Sequence, residues 1–147
     1  MALNARRNRQ LLETSAPLLL QGERVELTTL AAIGTVSVRK QALTTILVGV
    51  LTLGMVMATV RPRVAYIVLT NQRILFFDGN RGGKPGALLM NMPRAYVTAT
   101  AARKAFLGLK TVTHLTVEGQ DGALKVDFPV QTRADGAVFA GALPVTR

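Results

Sequence analysis

Residues able to do chemistry are few in this chain, and their spacing assembles no reaction centre. His114 is the single histidine among 147 residues, and there is no cysteine. It sits in a run of β-forming residues without a close carboxylate in sequence, so a catalytic dyad or zinc site would need ligands assembled from elsewhere, and a satisfied or solvent-facing imidazole is the expectation. Ser15 and Ser37 lie in no nucleophile-elbow sequence. The eight acids are scattered singly, and Glu23 with Glu26, three apart, fits one turn of solvated helix equally well. Gly82-Gly83-Lys84 invites comparison with a phosphate loop, but Asp78 stands where its first glycine belongs and Pro85 replaces the Ser or Thr that would hold magnesium. The expectation is a non-enzyme with no catalytic, metal or cofactor residues.

Charge is the sharper signal. Eighteen Lys and Arg against eight Asp and Glu leave a net +10, which favours an anionic partner, either an acidic lipid surface or a nucleic acid. The candidate lipid-headgroup contacts are Arg61, Arg63, Arg81, Lys84, Arg103, Lys104 and Lys110; with Arg94, most fall in expected loops or strand ends. Near an anionic leaflet each such charge contributes about 1 kcal/mol, so a handful would hold a domain flat on a membrane. A solvated basic surface, with topogenic flanking charges, is the alternative. Arg103-Lys104-Ala105-Phe106-Leu107 joins charge to apolar side chains, which suits a loop that dips into a lipid interface. Two Tyr and five Phe supply few stacking groups and no reader motif is present, so nucleic acid is the weaker partner.

The elements that must position these groups divide at an uncharged run from Gln41 to Val60, walled by Arg39-Lys40 and by Arg61 and Arg63. At the helical rise its 20 residues span about 30 Å, the thickness of a bilayer core. Thr44, Thr45, Thr52, Thr59, Gly49 and Gly54 dilute the run, but its apolar residues cover every side of a helix, and lipid tolerates Gly and Thr. The run therefore predicts one transmembrane helix. A re-entrant hairpin bending near Gly49 or Gly54, a soluble core helix and a buried strand pair are the alternatives. Basic residues are nearly balanced at its ends, so orientation stays open. Gly54 and Ala58 form one small-xxx-small pair, a cue for packing on partner helices. The first 20 residues lack the apolar core and cleavage site of a signal peptide, and the absence of cysteine removes any sign of an oxidising compartment. The expected location is the cell membrane, with the β domain in the cytoplasm.

Residues 1–40 read as a basic N-terminal segment, with an amphipathic helix from about Asn4 to Leu20 and then a stretch from Arg24 that fits a strand to Thr28 or a helix continuing to the membrane. Residues 62–145 read as a β domain. Ala65–Thr70 and Arg73–Phe77 form a hairpin about Asn71-Gln72, Gly79–Gly86 is a loop, and Leu88–Met92 and Ala95–Thr100 are short strands separated by Pro93. Thr111–Glu118 and Ala123–Phe128 flank the turn Gly119-Gln120-Asp121-Gly122. The chain closes on a helix, with Thr132 as its cap, Asp135 three residues on in a short-armed capping box, and Val138, Phe139 and Leu143 as its apolar stripe.

The hairpin motif Leu69, Thr70, Asn71 and Arg73, the terminal helix carrying Phe139 and Leu143, and the opening Gly22-Glu23 resemble the bacterial pleckstrin-homology-like domains and the related GRAM domains. The resemblance covers Val64 to Leu143. It implies an α+β fold, a strongly bent antiparallel sheet (a partial barrel) plugged by the C-terminal helix, used for lipid-surface or protein binding and not for catalysis. The apolar run between Glu23 and the hairpin departs from that pattern and leaves its first strand missing or displaced. From the residues alone, Thr70 and Asn71 suit a strand end and its turn, and Arg73 fixes the hairpin by clamping an acid such as Asp78 or lies along the sheet, with ligand binding the alternative. The expected function is a membrane-anchored binding module that engages anionic lipid headgroups or docks on a membrane-protein partner or a second copy of itself. The alternatives are a structural accessory subunit of a membrane complex and a basic nucleic-acid-binding protein.

Overall fold

A computed structural model of the chain describes residues 3–36, 63–79, 84–118 and 122–146. Asn4 starts the first helix, α1 (Ala5–Ser15), by accepting the Arg7 N–H on its Oδ1 at 2.8 Å, and a short 3-10 turn over Ala16–Leu18 ends it. Eight strands follow: β1 (Val25–Val36), β2 (Arg63–Thr70), β3 (Arg73–Asp78), β4 (Leu88–Pro93), β5 (Val97–Ala99), β6 (Arg103–Ala105), β7 (Lys110–Val117) and β8 (Ala123–Phe128). The last helix is α2 (Arg133–Gly141). The strands form one antiparallel sheet in the order β4-β3-β2-β1-β8-β7-β5, with β6 paired to the edge of β7.

The axis of this sheet is β1, whose 12 residues pair with β2 along most of their length and with β8 from Ala32 to Val36. One strand thus joins the meander β1–β4 to the strands β5–β8. Register shifts between Val25 and Leu27 and between Phe76 and Phe77 add the local twist that bends the sheet. The first strand is therefore neither missing nor displaced, and the N-terminal region is not only helical.

The same pairing corrects the expectation of a membrane anchor. Among the described residues no helix is long and apolar enough to cross a membrane, and the run Gln41–Val60 lies outside them. A helix that crosses once delivers its ends to opposite surfaces, about 30 Å apart. Yet Ile33 and Arg63, on either side of the run, are paired neighbours in adjacent strands. Residues before and after the run build one sheet, so the fold is α+β, a bent antiparallel sheet with flanking helices and, among the described residues, no membrane-spanning helix.

Alternation along the strands sorts the core into two layers. Ala65, Ile67 and Leu69 of β2 face inward with Ile74, Phe76, Met90, Met92, Leu115, Val126 and Phe128, and α2 closes this layer with Phe139. The Phe128 and Phe139 rings meet at 5.7 Å between centroids, tilted by 55°. Tyr66, Val68, Leu75 and Phe77 face the other way and pack with Leu11 of α1. Strands covered on both faces read as unbroken apolar runs, as Ile74–Phe77 does.

The seat of α2 differs from the expected capping box. Thr132 makes no side-chain cap; its hydroxyl donates to Leu30 O at 2.7 Å, while Asp135 Oδ2 accepts from Thr29 Oγ1 at 2.8 Å. Both side chains tie the helix to β1. Gly136 lets α2 approach closely, since a Cβ there would lie 2.5 Å from Thr111 Cγ2. Of the expected stripe, Phe139 and Leu143 are buried and Val138 is exposed.

Candidate functional site

The hairpin motif turns inward, onto the start of the domain. The Glu23 side chain is fully buried, and its carboxylate accepts from Arg73 Nε (3.0 Å) and Nη2 (2.8 Å), Thr70 Oγ1 (2.6 Å) and Leu20 N (2.8 Å). Arg73 Nη2 also donates to Leu18 O at 2.7 Å. The Thr70 hydroxyl accepts the Gln72 and Arg73 N–H groups, closing the turn, and Asn71 Oδ1 accepts Arg24 N at 2.7 Å. Leu69 is buried in the core. Thr70, Asn71 and Arg73 therefore staple the hairpin to Gly22-Glu23, with Leu69 anchoring it in the core, and the acid that Arg73 clamps is Glu23 rather than Asp78. Gly22 suits this junction because its φ of 78° is left-handed.

These donors, the Arg73 hydrogen bond first among them, lower the Glu23 pKa from its ordinary 4.5 to about 2, against the opposing effect of burial; the Thr70 and Leu20 bonds and the Arg73 charge add to the lowering. A depressed carboxylate stabilises the fold above its unfolded value and loses that contribution as pH falls through its folded one. The stability gap between the native chain and Glu23→Gln should therefore shrink by on the order of 3 kcal/mol as pH falls from about 4.5 to 2, read by urea denaturation at each pH.

The candidate cations within the described residues are spread over separate elements. Arg61 and Arg81 lie outside the described residues. Arg63 opens β2, and β1, β8 and β7 separate it from β6 in the sheet; Lys84 is exposed in the loop before β4. Arg94 is structural. It donates to Glu26 Oε1 (2.7 Å), Thr70 O (2.9 Å) and Ala142 O (2.7 Å), and so joins the hairpin, β1 and the end of α2.

Arg103, Lys104 and Lys110 do come together, on the β6–β7 hairpin, where Lys104 pairs with Thr111 and Ala105 with Lys110. The turn between the strands carries Phe106, Leu107 and Gly108 at φ values of 51°, 57° and 87°. Left-handed backbone costs a bulky residue roughly 1–2 kcal/mol, and the usual occupants are Gly, Asn or Asp. Here it holds apolar side chains in solvent. Phe106 is 69% exposed, Leu107 fully and Leu109 50%. Lys110 Nζ lies 4.7 Å from the Phe106 ring centroid and 3.9 Å from Asp127 Oδ2, and Arg133 reaches the base of the turn with a long 3.4 Å bond to Gly108 O.

No family model matches this chain, and no curated protein matches it. Among solved structures it is similar to the crystal structure of the N-terminally truncated linker-DH/PH domains of p115-RhoGEF, at 10% identity and a TM-score of 0.46. The match covers 92% of this chain and 35% of that one, so the chain spans about a third of its length.

His114 lies on β7, half-buried, as the direct cross-strand partner of Lys125 on β8. Burial lowers its pKa from the ordinary 6.5, and the charges of Lys125 and Arg103 push the same way. Among the described residues no group of three His, Cys, Asp or Glu side chains is placed to hold a metal ion. Gly54 and Ala58, the cue for a subunit packed on partner helices, lie outside the described residues.

Proposed function

We propose that this protein is a non-catalytic binding module that docks peripherally on an anionic lipid surface through the β6–β7 hairpin. The observation that carries the reading is the turn itself, which keeps Phe106, Leu107 and Leu109 in solvent at a conformational cost with cations beside them. Withdrawing a Phe or Leu side chain from water contributes about 1.5–3 kcal/mol, and each cation near an acidic leaflet about 1 kcal/mol. Two or three of each give reversible adsorption, in the range of a single lipid anchor or above. An anionic leaflet such as the cytoplasmic face of a cell membrane is the surface that fits. Nucleic acid fits less well, because four of the five Phe and Tyr66 are buried, which leaves Phe106 and Tyr96 as the exposed aromatics.

Sedimentation of the full chain with vesicles tests this. Bound protein should rise with the acidic-lipid fraction and fall with added salt; equal binding to neutral vesicles would sink the reading.

A further inference from the structure

Beside the apolar tip, the outer face of β6, β7 and β8 carries a second arrangement. Arg103, Lys104, Ala105, Val112, His114 and Lys125 line an open cleft of about 500 Å³. Thr113, Leu115, Leu124 and Val126 are buried on the inner face, so alternation sends Val112, His114 and Lys125 outward. Arg103 enters from β6 as the partner of Val112, two residues before His114. The imidazole is thus approached by cations from both neighbouring strands. Among the described residues no acid lines the cleft. Asp127, the partner of Val112 on β8, is the nearest in register, and its Oδ2 lies toward Lys110. Like charges placed opposite one another across strands are destabilising, so His114 facing Lys125 weakens the sheet whenever the imidazole is protonated. An anion in the cleft would reverse that.

We propose that this cleft is a phosphomonoester site, with Arg103, His114 and Lys125 as its ligating side chains. A phosphomonoester carries close to two negative charges at neutral pH and three strong acceptor oxygens, where a diester carries one charge. The Arg103 fork, the Lys125 ammonium and an imidazole N–H supply donors of three geometries to those oxygens, while Ala105 and Val112 form an apolar wall. An anion there favours the protonated imidazole, so binding draws a proton onto His114. The proposal deepens the lipid-docking reading if the phosphate belongs to a headgroup held beside the tip. The cleft itself needs no membrane, and a soluble phosphorylated compound has the same chemistry.

His114 is the only histidine, so its ring proton resonances report on the cleft without assignment ambiguity. The full chain is titrated with inorganic phosphate, with chloride holding ionic strength constant. The expected result is a saturable upward movement of the His114 pKa, weakened at least tenfold in the Arg103→Gln/Lys125→Gln variant, whose amide spectrum should show the native fold. Vesicles containing phosphatidic acid, a monoester, are compared with phosphatidylglycerol, a diester, at matched surface charge. A preference for phosphatidic acid that the double variant loses assigns the site to a headgroup. Phosphate binding without that preference supports the site and assigns it to a soluble ligand. A His114 titration identical in phosphate and chloride overturns the proposal. The two readings fail separately: vesicle binding without a phosphate response leaves the tip and removes the cleft, and a phosphate response without vesicle binding does the reverse.

Discussion

Replacing Arg73 with alanine should destabilise the protein by about 3–5 kcal/mol at neutral pH, the range seen when one partner of a buried ion pair is removed. The size follows from what is left behind. Glu23 is fully buried and loses two of its four hydrogen bonds, keeping only Thr70 Oγ1 and Leu20 N. An anion so placed must either stay charged in a poor environment or take up a proton, and both cost the native state. Arg73 also holds Leu18 O, so the chain entering β1 is loosened as well. Domains of this size have a total stability of roughly 5–15 kcal/mol, so the loss is a large share of it and should move the urea midpoint well below that of the native chain. Arg73→Lys keeps the charge without the two-pronged geometry and should fall between the two. In a urea denaturation series, adding Glu23→Gln to Arg73→Ala should cost much less than the sum of the single changes. Additive losses would show that the pair does not act as a unit.

The same cluster shows what could be read from sequence and what could not. The Thr70-Asn71-Gln72-Arg73 turn was legible because strand residues rich in β-formers flank it, and β2 and β3 meet there. The partner of Arg73 was not, because a separation of 50 residues leaves no local pattern; Gly22-Glu23 was the available signal, and the family resemblance held both halves without joining them. β1 was legible only in part, as the alternative strand from Arg24 to Thr28, and for a different reason. Thr28 to Ala31 are buried on both faces at the centre of the sheet, where alternation vanishes, and the apolar run beyond them has the length and composition expected of a bilayer-spanning helix. Thr132 and Asp135 look like a local pair, yet both find partners on β1, more than 100 residues away. At the functional end, the Arg103–Leu107 segment was legible as charge joined to apolar bulk. The convergence of Arg103, His114 and Lys125 depends on the register of three strands, which no spacing along the chain reveals.

Leu107→Asp should weaken binding to acidic vesicles by at least tenfold while leaving the fold intact. Leu107 is fully exposed and belongs to neither core cluster, so the change falls among surface substitutions, usually within about 0.5 kcal/mol. Its φ of 57° suits aspartate better than leucine, which favours the folded state of the variant. On the membrane side, losing the burial of a leucine removes about 1.5–3 kcal/mol, and a new negative charge at an acidic leaflet opposes adsorption by roughly 1 kcal/mol more. Leu107→Ala isolates the apolar part. Arg103→Gln removes charge instead, and the two variants should part company in salt: raising ionic strength should bring Arg103→Gln toward the native chain, because screening removes what the arginine contributed, and should leave the Leu107→Ala deficit in place. Sedimentation across a salt series reads both. If Leu107→Asp bound acidic vesicles as the native chain does, the tip would be a surface loop and adsorption would have to run through the charges alone.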